Sequence, residues 1–186
     1  MTNTLHRQGT AENLKGDYVV FVTSAKGYNR EGCAEQVKEF LRIALRHNPI
    51  NVRPIGGRRL NLAEFDKLTA NMPELSTATV TYDNLEAVQS VVADLVKADL
   101  GLSVNISGLL EEAAACCRGA GIVRHSVEHS LGFRGRVERL PSTQILEINT
   151  MCGHGLVSFN LIKKVLDYVK LGRLTPERGA DYLARP

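Results

Sequence analysis

The residues of this chain best suited to chemistry lie close together in "EINTMCGHGLVSFNL", residues 147–161, where Cys152 and His154 flank Gly153 and Gly155 closes the turn. A cysteine and a histidine are good ligands for zinc or ferrous iron, and three protein ligands leave a position open for water or substrate. Without a metal, the same side chains offer a thiolate and a general base, the requirements of nucleophilic catalysis. Glycine on either side of the histidine allows positive φ and close approach of a ligand to the backbone.

A third group is read from "RHSVEHSLGF", residues 124–133. Apolar and polar residues alternate there, so His125, Val127, His129, Leu131 and Phe133 share one face of an expected strand. Four residues of strand separate the two histidines by about 13 Å, which rules out a shared metal. Pairing 123–131 with a second expected strand, 143–151, as an antiparallel hairpin sets His125 opposite residue 150 and His129 opposite Leu146. This register assigns His125 to the site with Cys152 and His154, and His129 to the core. A helix expected over 155–172 follows directly, and its unpaired N–H groups and dipole favour an anion beside Cys152.

These groups need elements to hold them. "DYVVFVT" (17–23), "TATVTYD" (77–83) and "GLSVNISG" (101–108) read as strands. Helices are expected over 30–48, 84–100 and 109–121, from apolar residues recurring every three to four positions and from the closing Gly119 and Gly121. A short strand near Ile50 and a helix near 62–70 flank the least regular stretch, 49–76, where a flexible flap carrying Arg58 and Arg59 is expected. Thr175-Pro176 starts a last helix, as N-cap and first helical residue.

Strands alternating with helices predict an α/β fold, with residues 1–16 as a polar N-terminal arm and 17–186 as a single domain. The expected sheet is mixed and mostly parallel, with the antiparallel hairpin added. A ferredoxin-like α/β sandwich is the alternative. Ligands of an open parallel sheet bind beyond the carboxyl ends of its strands. Lys26 is therefore the expected anchor for a substrate carboxylate or phosphate, with Ser107, Gly153 and Gly155 completing the substrate-binding set. Asp83 and Asn84 stand on the same rim, where capping of the following helix accounts for them. Arg134, Arg136 and Arg139 suit a solvated loop.

The bulk composition narrows the partners. A net charge of +3 and an absence of tryptophan give no footing for a nucleic-acid partner. No apolar run approaches the roughly 20 residues of a membrane span, and the start of the chain has no apolar export signal. Cys33, Cys116, Cys117 and Cys152 do not space into a disulfide framework, so reduced thiols and a cytoplasmic setting are expected. The reading is a zinc- or iron-dependent enzyme of hydrolase or lyase type acting on a small anionic metabolite, in a homo-oligomer. Cys152, His154 and His125 are its expected ligands and catalytic groups. A non-catalytic sensor binding a metal, haem or metabolite is the alternative.

Overall fold

The computed structural model describes residues 7–53, 62–70 and 77–185. Arg58, Arg59 and much of the expected flap lie outside them. The chain divides into two compact units, 11–127 and a second made of 1–10 with 128–186.

The unit 11–127 contains α1 (Ala11–Leu14), β1 (Tyr18–Thr23), α2 (Ala34–Leu45), β2 (Asn51–Arg53), α3 (Leu62–Thr69), β3 (Thr77–Tyr82), α4 (Leu85–Ala98), β4 (Ser103–Ser107) and α5 (Leu110–Gly119). Alternation decides which side of the sheet is covered. Tyr18, Val20 and Val22 of β1 point inward with Val80 and Tyr82 of β3 and Val52 of β2, and all six are buried. Against them lie Val37, Phe40, Leu41 and Ala44 of α2 and Val88, Val91, Val92 and Leu95 of α4, one contiguous apolar core. The Tyr82 hydroxyl, carried into this core, donates to Ala44 O at 2.9 Å, as burial requires.

The strands stand in the order β2-β3-β1-β4, and every neighbouring pair is antiparallel. The α/β class holds, but the mostly parallel sheet is corrected. Helical crossovers do run β1 to β2 and β3 to β4 in the same direction. β3 inserts between the first pair, and β1 between the second. Crossover chemistry fixes strand direction; it does not fix adjacency. The observed order is that of the split βαβ, or ferredoxin-like, arrangement.

The regular structure described in the unit 1–10 with 128–186 is helical. It contains α6 (Thr143–Asn149), a 3₁₀ turn over Thr150–Cys152, α7 (Phe159–Lys170) and α8 (Pro176–Leu183). The N-caps of the last two are made by side chains, Ser158 accepting from Leu161 N and Thr175 from Arg178 N. The expected hairpin is not formed, because residues 122–136 have no regular structure and 143–149 are helical. "TQILEIN" is a short apolar run whose period does not distinguish strand from helix. Pro141-Ser142 ahead of it and burial of Leu146 and Asn149, three apart, settle it as a helix. Among the described residues no helix is long and apolar enough to cross a membrane.

Candidate functional site

The turn after α6 is braced by two buried polar side chains. Asn149 sends Nδ2 to Val157 O at 2.7 Å, spanning the whole Cys-Gly-His-Gly stretch. Thr150 donates Oγ1 to Leu146 O at 2.8 Å and accepts from Gln8 N at 2.9 Å. Both are buried and satisfied, so the exposed turn is held from beneath. The polar pair Asn149-Thr150, breaking an apolar run, was the available signal for this support, and sequence reasoning passed over it.

Above that brace, Cys152 is exposed at the end of the 3₁₀ turn. The backbone N–H of His154 donates to its Sγ at 3.4 Å, and the thiol lies 3.9 Å from Asn149 O. The His154 ring places Nδ1 3.0 Å from Cys152 O. A carbonyl oxygen only accepts, so in this bond Nδ1 carries the hydrogen and Nε2 is left to act as base or ligand. Gly153 and Gly155 both have positive φ, at 73° and 61°, the conformation that lets the chain reverse around Cys152.

Arg7, from the start of the chain, belongs to the same unit. Its burial lowers the guanidinium pKa, and the charge of a Cys152 thiolate works in the opposite direction. A half-buried cation is thus electrostatically linked to the exposed sulfur, which sequence reasoning did not foresee.

The other expected members of the site fare differently. Cys152 does not stand at a strand-to-helix junction. It follows α6, and α7 starts only at Phe159, so Cys152 is not at a helix N-terminus. His125 and His129 are both exposed, in the stretch without regular structure. His129 is therefore not a core residue, and the register that aimed His125 at Cys152 has no strand pair to rest on.

Lys26 sits in the exposed turn after β1, and Ser107 ends β4. The antiparallel register pairs Thr23 with Ser103 and Val19 with Ser107, which puts Lys26 and Ser107 at opposite ends of the sheet. A shared rim of strand ends exists only in a parallel sheet, and with it goes the reason for grouping them. Among the described residues no group of three or more His, Cys, Asp or Glu side chains is placed to hold a metal ion.

A second polar constellation lies in the unit 11–127. Arg46, His47, Asp83, Asn84 and Ser90 line an open cleft of about 430 Å³. His47 Nε2 is 3.0 Å from Asp94 Oδ2, and Lys97 Nζ is 3.3 Å from the other oxygen of that carboxylate. The hydrogen bond from His47, then that from Lys97, holds the Asp94 carboxyl below its usual range. Asn84 caps α4, accepting from Ala87 N at 2.8 Å, the role expected of it. Cys33 and Cys116 are buried and Cys117 is half-buried. Cys33 thus sits in the core, which does not fit a reactive thiol.

Compared with known proteins, the chain matches no family model, no curated sequence and no solved structure.

Proposed function

We propose that the protein is a hydrolytic enzyme acting on a small anionic acyl metabolite, with Cys152 as nucleophile. The supporting observation is an exposed cysteine whose sulfur receives the His154 N–H and is linked electrostatically to Arg7. An N–H donor and a nearby cation are what a reactive thiolate requires. In the proposed reaction Sγ forms a bond to the substrate carbonyl carbon as its proton passes to His154 Nε2. The leaving group then departs with that proton. Water cleaves the resulting thioester, releasing the acid and restoring the thiol. The positive-φ glycines leave the backbone open beside the sulfur, and Arg7 supplies the charge that suits an anionic substrate.

A metal-dependent form is the second reading, favoured by one observation. His154 donates Nδ1–H to a carbonyl, the arrangement that orients metal-bound histidines through their other nitrogen. Cys152 Sγ and His154 Nε2 would hold a zinc or iron ion. They are two donors where a catalytic zinc site uses three, so the metal-free reaction is the better supported.

The experiment is hydrolysis of mono-p-nitrophenyl succinate by the full chain, with metal analysis of the purified protein and mapping of iodoacetamide-labelled peptides. Preferential labelling of Cys152 and loss of hydrolysis in Cys152→Ser are expected, with Arg7→Met slowing both reactions. Hydrolysis that continues at full rate in Cys152→Ser excludes the nucleophile. Stoichiometric zinc or iron lost in His154→Ala shifts the assignment to the metal-dependent form.

A further inference from the structure

Two incomplete pieces of β-structure occur in the same chain. One is the stretch 123–131. Its alternation of apolar and polar residues is that of a strand, yet none of its backbone N–H or C=O groups makes a hydrogen bond among the described residues. Its side chains take part in two bonds, from the Arg124 guanidinium to Leu110 O and from Gly132 N to Ser130 Oγ. Val123 is 93% exposed and Leu131 74%. An apolar strand pattern with its backbone left to water is an unfilled pairing requirement.

The other piece is the outer edge of β4. Among the described residues this strand pairs with β1 alone and ends the sheet. Natural edges are commonly protected by charge, proline or shortness. β2, at the opposite edge, is three residues long and ends in Arg53. β4 reads SVNIS over five residues, with no charge and no proline, and Val104 is 43% exposed on it. Beside it, Val96, Leu100, Val104 and Ile122 line an apolar cavity of about 270 Å³, room for branched aliphatic side chains.

We propose that residues 123–131 of one copy add as a strand to the free edge of β4 in a second copy, reciprocally, to form a two-fold dimer. The chain holds both a strand lacking an edge and an edge lacking a strand, which identifies the occupant as a second copy. The position of Ile122 supports reciprocity. It lines the cavity beside β4 of its own chain, so the donated strand starts next to the edge that accepts one. A two-fold axis needs both elements on one self-complementary patch. Main-chain hydrogen bonds supply the pairing, and alternate side chains, among them Val123 and Val127, supply the apolar contact with the cavity. The dimer stands independently of the chemistry at Cys152.

Sedimentation of the full chain over a wide concentration range, with hydrogen exchange of the amides of 123–131, tests this. The expected result is a dimer in which those amides are protected. Val104→Lys places a charge on the accepting edge, and Val127→Pro removes a ladder donor. Both variants should sediment as monomers and lose the protection, while their unfolding transitions, followed by circular dichroism, stay cooperative. A monomeric wild-type chain overturns the proposal, as does a dimer that survives both substitutions. Protection of 123–131 that persists in a monomer also overturns it, since the strand would then be satisfied within its own chain.

Discussion

β1 and the segment 123–131 both place β-branched residues on one face of an extended stretch, in opposite circumstances. β1 is apolar from Tyr18 to Val22 and alternates in burial, whereas the segment alternates in residue type. β1 lies between β3 and β4, with Val20 and Val22 fully buried beneath α2 and α4. Among the described residues the segment has neither a ladder nor a helical face against it, and all of its residues from Val123 to Ser130 are exposed. Alternation is therefore a requirement that the rest of the fold must meet, with a hydrogen-bonding neighbour on the edge and an apolar layer on the face.

The largest expected effect comes from breaking the layer that completes β1. Phe40 of α2 is fully buried in the core. Phe40→Ala removes its ring and leaves a cavity, a loss of about 3–5 kcal/mol in urea unfolding. Val123→Ala, at a position 93% exposed, should change stability by less than about 0.5 kcal/mol in dilute protein. Comparable losses at the two positions would show that the segment is packed like β1, and the contrast would fail.

The same contrast explains what could be read before the structure. β1, β3, α4 and α5 were legible to within two residues at each end, because their periodicity is matched by the packing they receive. Local signals were as clear: Asn84 ahead of α4, Thr175-Pro176 ahead of α8, and the positive φ of Gly153 and Gly155. Strand adjacency was not legible, since it depends on which strand intervenes between β1 and β2. The hairpin failed for the complementary reason. Residues 143–151 carry apolar residues that either a strand or a helix can use, and burial of Leu146 and Asn149 selected the helix. Of the site, Cys152 and His154 are neighbours in sequence and stayed together. His125, Lys26 and Ser107 were joined to them through a sheet geometry that is not formed.

A pair of glycines sharpens the comparison at the next level, with effects of opposite sign. A Cβ on Gly108 would lie 2.8 Å from Cδ1 of Tyr18. That ring is buried and cannot swing away, because its hydroxyl donates to Glu112 Oε2 at 2.6 Å. Burial, and then that bond, also keep the Tyr18 hydroxyl from ionising in the ordinary range. Gly108→Ala should destabilise by about 1–3 kcal/mol through overpacking. Gly119, in the last turn of α5, has none of the described atoms beyond its own helix backbone and chain neighbours within 4 Å of its Cβ position. Gly119→Ala should stabilise by about 0.5–1 kcal/mol, through helix propensity and a less flexible unfolded chain. Equal signs in thermal unfolding would mean that the close fit around β1 does not constrain Gly108.

Two helix caps, one in each unit, test whether local structure is set in the same way in both. Asn84 caps α4 in one unit, accepting from Ala87 N at 2.8 Å. Ser158 caps α7 in the other, accepting from Leu161 N at 3.3 Å. Both caps are exposed and satisfy an N–H that the helix itself leaves open. Each alanine substitution should cost about 1 kcal/mol, with the shorter Asn84 bond at the larger end. A cap depends on its own first turn and on nothing delivered from elsewhere in the chain, so both should respond whether or not 123–131 is paired. If Ser158→Ala costs nothing in chemical unfolding while Asn84→Ala costs its full amount, the Cys152 turn is not set by the start of α7. The Asn149 bond to Val157 O would then be the restraint that holds Cys152 and His154 in place.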